Sequence, residues 1–219
     1  MTAPTLGSWL APPGSGKTTA LRLYENEMPG CWIATLSPSF GSLRPGLIRV
    51  RDALISGSPH HGAFLVRQEI EHFLEMWCFD TRPALVVVDE AQHAKRALLE
   101  ELRSIHDEIG VGLVLCGNPD FGGWFRGQSG LTRFAQLSSR VGARLDLGAP
   151  TSADIGALCH GFGVAGVRMQ EFVDRLAGRG GGLRAAARLR TAAEQMAGSD
   201  AVSLAHLQAA ARLLGLHDR

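Results

Sequence analysis

The stretch Ala11-Pro12-Pro13-Gly14-Ser15-Gly16-Lys17-Thr18 decides the fold. A short apolar run, residues 6–10, precedes it. From Lys17 onward Ala20, Leu21 and Leu23 follow at helical spacing until Pro29-Gly30. A glycine-rich turn between a strand and a helix is the setting of a nucleotide phosphate-binding loop, the Walker A pattern. Glycines let successive backbone N–H groups converge on phosphate oxygens, and the helix N-terminus adds favourable partial charge. Pro13, Gly14, Ser15, Gly16, Lys17, Thr18 and Thr19 are therefore the expected contacts to ATP. Lys17 is expected to reach the outer phosphates and Thr18 to ligate Mg²⁺. Ala11 stands where the pattern has its first glycine; alanine is the smallest replacement, so the loop geometry is expected to survive.

Downstream, residues 84–88 form a continuous apolar run closed by Asp89-Glu90. Such a run reads as a strand buried on both faces, and a carboxylate at its end is costly unless something positive faces it. Asp89 is expected to hold the Mg²⁺ shell, and Glu90 to orient and activate the attacking water. A further strand, residues 31–36, lies between the loop helix and Asp89. That extra strand separates P-loop ATPases with a catalytic glutamate from the kinase and GTPase branch. Hydrolysis is thus expected over transfer to a small acceptor. Asn118 ends another strand, residues 112–116, which in a parallel sheet lies beside Asp89; it is a candidate to face the γ-phosphate. An Asn-Pro turn is the competing reading.

Helical spacing recurs over residues 42–55, from Phe64 to Trp77, from Leu98 to Ile105 and over 131–140, and a last strand is expected at 143–147. After Pro150 strand-like runs disappear and alanine and leucine dominate, with Ser152 or Asp154 as a helix cap and further helices from Leu183 and Ser203. The expectation is an α/β fold: a parallel sheet of about five strands flanked by helices over residues 1–149, and a small helical lid over 150–219. At 219 residues the chain is long enough for a proper core. A net charge of +1 gives no global basic field, so nucleic-acid binding would need a local patch. No stretch approaches a membrane span, and the N-terminus lacks a charged region followed by an apolar run. A cytoplasmic protein with no membrane partner is expected. Cys31, Cys78, Cys116 and Cys159 show no paired spacing and read as packing residues. His60-His61, in a polar loop, is a weak metal hint.

On these residues the chain resembles an AAA+ ATPase of the phage Mu transposition protein B type, with its TniB and TnsC relatives. The resemblance rests on residues 13–19, on Asp89-Glu90-Ala91-Gln92-His93 and on Ile105-His106-Asp107-Glu108. It extends to Leu115-Cys116-Gly117-Asn118-Pro119 and Phe134-Ala135-Gln136-Leu137-Ser138-Ser139-Arg140. It implies roles for further residues. Asn118 matches sensor 1. Arg140, with Arg133 as its competitor, matches the finger that one subunit extends into its neighbour's ATP site, and Arg184 matches sensor 2. It also implies ATP-dependent homo-oligomers, helical filaments or rings, on double-stranded DNA without sequence preference. These select a transposition target and stimulate a transposase. DNA contact is expected from Arg44, Arg49 and Arg51 after the second strand, and from Lys95 and Arg96 after Asp89-Glu90. An ExeA-type ATPase, a helicase loader or an ATP-gated scaffold would share the nucleotide motifs.

Overall fold

The computed structural model describes residues 5–58, 62–80, 83–121, 141–164, 166–179 and 181–216. Among these, five strands form one sheet: β1 (Leu6–Leu10), β2 (Cys31–Thr35), β3 (Leu85–Asp89), β4 (Gly112–Gly117) and β5 (Val141–Asp146). Their order is β2-β3-β4-β1-β5, and every pairing is parallel. The helices between them are α1 (Lys17–Glu27), α2 (Leu43–Leu54), α3 (Ala63–Phe79) and α4 (Arg96–Ile109).

The two-residue period of a strand sorts the sheet's side chains onto two cores. Val86 and Val88 of β3, with Leu6 and Leu10 of β1, join Leu47, Val50, Ile70, Leu74, Leu98, Leu99 and Leu102 from α2, α3 and α4. Val87 turns the other way, toward Leu21 of α1, Cys31 and Cys116. Cover on both faces explains why β3 reads as an unbroken apolar run. β5 begins two residues before the stretch expected for it. It lies at the sheet edge on β1 and is exposed along most of its length, which explains its weaker apolar signal.

The chain divides into two compact units. Met1–Ala11 and Thr18–Leu147 make one; Pro12–Lys17 and Gly148–Arg219 make the other. In the second, α5 (Ser152–Gly161), α6 (Val167–Gly178), α7 (Gly182–Ala197) and α8 (Leu204–Leu213) enclose Ile155, Phe172, Leu176, Leu189 and Leu207. Buried alanines such as Ala186, Ala193 and Ala210 let these helices approach closely. The residue that caps α5 is Thr151, where Ser152 or Asp154 was expected. The Thr151 hydroxyl accepts from the Asp154 N–H, and the Asp154 carboxylate accepts from the Thr151 N–H. Ser152 is the first helical residue and donates its hydroxyl to Asp174 Oδ2 at 2.9 Å, tying α5 to α6.

All four cysteines are free, and Cys31, Cys116 and Cys159 are buried, as packing residues are. Burial, with Glu25 adding to it, pushes the Cys31 thiol up to about 11. Among the described residues no helix is long and apolar enough to cross a membrane. His60 and His61 lie outside the described residues.

Candidate nucleotide and nucleic-acid site

A parallel sheet presents its strand ends, and the loops that leave them, at one edge, where ligands of such folds bind. Four of the expected motifs leave β1, β2, β3 and β4 at that edge.

The loop after β1 is shaped by its glycines. Gly14 (φ 79°) and Gly16 (φ 89°) adopt left-handed conformations that a side chain would strain. Ala11 is not among the positive-φ residues, so its Cβ imposes no such strain; it is fully buried, and its N–H donates to the Gly117 carbonyl at 3.2 Å. Lys17 is 8% exposed and donates Nζ to the Pro12 carbonyl at 3.0 Å. In the same compact unit the Arg184 N–H donates to the Gly14 carbonyl at 3.2 Å. A Cβ on Gly14 would collide with the Gly181 carbonyl. Arg184 itself is an exposed residue of the first turn of α7.

Thr18 belongs to the first unit. Its Oγ1 donates to Asp89 Oδ2 at 2.9 Å, joining positions 71 residues apart. Asp89 is fully buried, and its other oxygen accepts from the Glu90 N–H at 2.9 Å. A buried carboxylate needs such partners. The residues present fit a Mg²⁺–nucleotide. Thr18 and Asp89 are hard oxygen donors of the kind Mg²⁺ prefers. Ser15 Oγ is buried with no hydrogen-bond partner, as a loop meant to meet phosphate oxygens allows.

Glu90 follows with φ 56° and ψ 38°, the one non-glycine residue at positive φ among those described. Backbone strain of this kind costs about 1–3 kcal/mol and collects at functional positions. Its Oε2 accepts from Gln92 Nε2, and Gln92 Oε1 accepts from the Asn118 N–H at 3.3 Å. Asn118 stands at the end of β4, with its Oδ1 accepting from the Phe121 N–H at 3.1 Å. Its side-chain carbonyl thus shapes the turn after the strand, as the Asn-Pro turn reading expected. Gln92 had no role assigned from sequence. Its only signal was its place two residues after the glutamate, which does not say where an amide points.

The basic residues separate by environment. Arg44, Lys95 and Arg96 are exposed. Arg49, also exposed, donates Nε to the Thr35 carbonyl at 3.1 Å and has its guanidinium 5.6 Å from the Phe40 ring centre. The segments that carry them are tied together: the Lys95 N–H donates to the Gly41 carbonyl at 2.7 Å, and the His93 carbonyl leaves no room for a Cβ at Gly41. The starts of α2 and α4, neither with a side-chain cap, are therefore neighbours. Arg51 is different, which corrects its expected role as a phosphate contact. It is 5% exposed, pairs with Glu69 at 2.7 Å, and donates to the carbonyls of Ile55, Gly57 and Ser58. Its guanidinium is committed to holding the loop after α2. Arg133 and Arg140 lie outside the described residues.

A family model described as an AAA domain matches residues 4–125, more than half of the chain. The chain belongs to the AAA-domain family. A second model, of the C-terminal part of the Mu B transposition protein, matches residues 139–214. Beyond this AAA domain match, the ATP-dependent target DNA activator B of Escherichia phage Mu is 31% identical over 173 residues, covering 78% of this chain and 54% of that protein. The Mu-like prophage FluMu DNA transposition protein B of Haemophilus influenzae is 31% identical over 176 residues, 78% of this chain and 58% of its own length. The chain thus spans a little over half the length of these relatives, and its likeness to the Mu B type is a finding. Solved structures agree on the fold. The Aeropyrum pernix ORC1 protein in complex with DNA superposes with TM-score 0.69 at 16% identity, over 97% of this chain and 60% of that one. A variant of Thermotoga maritima RuvB does so with TM-score 0.60 at 18% identity, over 97% and 63%.

Proposed function

We propose that this AAA-domain protein binds and hydrolyses ATP, assembles head-to-tail on double-stranded DNA without sequence preference, and there selects a target and activates a transposase. The observation that carries the ATPase reading is the Thr18–Asp89 hydrogen bond, which joins the Walker A threonine to the strand-end carboxylate. The names of the phage Mu and Haemophilus influenzae relatives support the transposition role.

In this reading ATP supplies the scissile phosphate bond, and Mg²⁺, when bound, would supply positive charge against the phosphates. The N–H groups of residues 14–19 cradle the phosphates, and Lys17 neutralises their outer charge. Thr18 and Asp89 hold the cation. Glu90 orients a water and accepts its proton. Asn118 uses its amide NH₂ toward the γ-phosphate, its carbonyl being engaged by Phe121. Arg184 reports on the nucleotide from α7, and Arg140, or Arg133, completes the site of the next subunit. Residues 1–149 act as the nucleotide-binding core and 150–219 as the lid. Arg44, Arg49, Lys95 and Arg96 contact DNA phosphates, helped by the neighbouring N-termini of α2 and α4.

Electron microscopy with a non-hydrolysable ATP analogue, with and without duplex DNA of arbitrary sequence, tests this. Nucleotide-dependent filaments or rings on the DNA are expected. Isolated particles in every condition would contradict assembly and favour a loader or scaffold.

A further inference from the structure

Gln92 lies in the short turn Ala91–His93 that follows Glu90. Its amide is used at both ends and in opposite senses. The NH₂ donates to the Glu90 carboxylate, while the carbonyl accepts from the main-chain N–H of Asn118. The two partners fix which way the amide faces. Flipped, it would set a carbonyl against a carboxylate and an NH₂ against an N–H, and both contacts are repulsive. Space for the amide depends on Gly117, where a Cβ would lie 3.0 Å from Gln92 Oε1 and 3.1 Å from the Phe121 ring. Glu90 is fixed at its other end too, with its left-handed backbone held by the bond from its N–H to Asp89 Oδ1.

The geometry points to Gln92 as a positioning residue that holds the Glu90 carboxylate in register with the end of β4. This inference rests on Glu90 being the group that orients the attacking water. A glutamate carboxylate, carried on three rotatable bonds, samples several directions, and only one suits a water aimed at the γ-phosphate. The amide selects one of them and ties it to the strand end that carries Asn118. The Gln92 amide is engaged by Glu90 and by the Asn118 N–H. Its effect on turnover passes entirely through Glu90, so it belongs in the rate of the step and not in nucleotide affinity.

Gln92→Met keeps the side chain's length and removes both polar ends. Gln92→Glu keeps an acceptor for the Asn118 N–H but replaces the donor with a like charge. Both are expected to lower kcat by about tenfold to a hundredfold, the scale of a small misplacement at a reacting centre. The KM for ATP and the affinity for a fluorescent ATP analogue should stay within about twofold, as for a residue remote from binding. In a Glu90→Gln background, Gln92→Met should cause no further loss. Independently of activity, the thermal midpoints of the nucleotide-free single and double variants should combine non-additively, as partners in one hydrogen bond do. Turnover of Gln92→Met at or above the wild-type level, or additive midpoints, would overturn the inference. If Glu90→Gln itself turned over normally, the assignment of Glu90 would fail first; if Glu90→Gln were inactive and Gln92→Met normal, only the role of Gln92 would fail.

Discussion

Lys17 and Glu90 are the residues proposed to serve binding and chemistry respectively, and two substitutions separate them. Lys17→Ala removes the buried cation that the loop holds over Pro12. ATP-analogue affinity should fall at least about tenfold, the scale of a lost charge-assisted contact; unchanged affinity in a fluorescence titration would sink the phosphate-binding role. Glu90→Gln should keep that affinity and lower steady-state turnover by about a hundredfold to ten-thousandfold. At this scale the sequence was informative wherever chemistry needs a residue type at a fixed spacing. Thr18 of the loop pattern and Asp89 of the strand-end pair meet across the sheet through the threonine hydroxyl. Gln92 was illegible because its role depends on side-chain direction, which spacing does not encode. Asn118 was half legible, since spacing does not say that the side-chain carbonyl at this strand end accepts from the Phe121 N–H and shapes the turn.

Among the elements, α2 shows how a basic cluster must be split by helix face. Leu47, Val50, Arg51 and Leu54 are among its buried residues, spaced as one side of a helix, while Arg44 and Arg49 are exposed. Arg51 thus stood on the apolar face, a signal present in the sequence but outweighed by its charge. Arg51→Ala leaves Glu69 without this partner and should destabilise the fold by about 3 kcal/mol, measured by denaturant unfolding. Arg44→Ala should leave stability within about 0.5 kcal/mol. It should weaken DNA binding alike on all sequences and lower the salt dependence by about one unit of slope. An unchanged salt slope would remove Arg44 from the DNA contact. The cap of α5 carries the same lesson in milder form: Thr151 and Asp154 are a capping-box pair three residues apart, and Ser152 beside them diverted the reading.

For the molecule as a whole, the sheet and its strand count were legible, because alternating strands and helices admit few topologies. The proposed assembly was not, since it would depend on surfaces that only a neighbour completes. Arg140→Ala should bind ATP normally yet lose turnover, and mixing it with wild-type subunits should restore activity at sites facing a wild-type finger. Activity that merely scaled with the wild-type fraction would argue against a finger acting in trans.

The central claim is that ATP switches this chain onto DNA of any sequence. Fluorescence anisotropy of a labelled duplex of arbitrary sequence, titrated with the protein bearing either a non-hydrolysable ATP analogue or ADP, tests it most directly. The account predicts tight, salt-sensitive binding with the ATP analogue and at least about tenfold weaker binding with ADP, a coupling of typical allosteric size. Equal binding in both nucleotide states, or none in either, would contradict it.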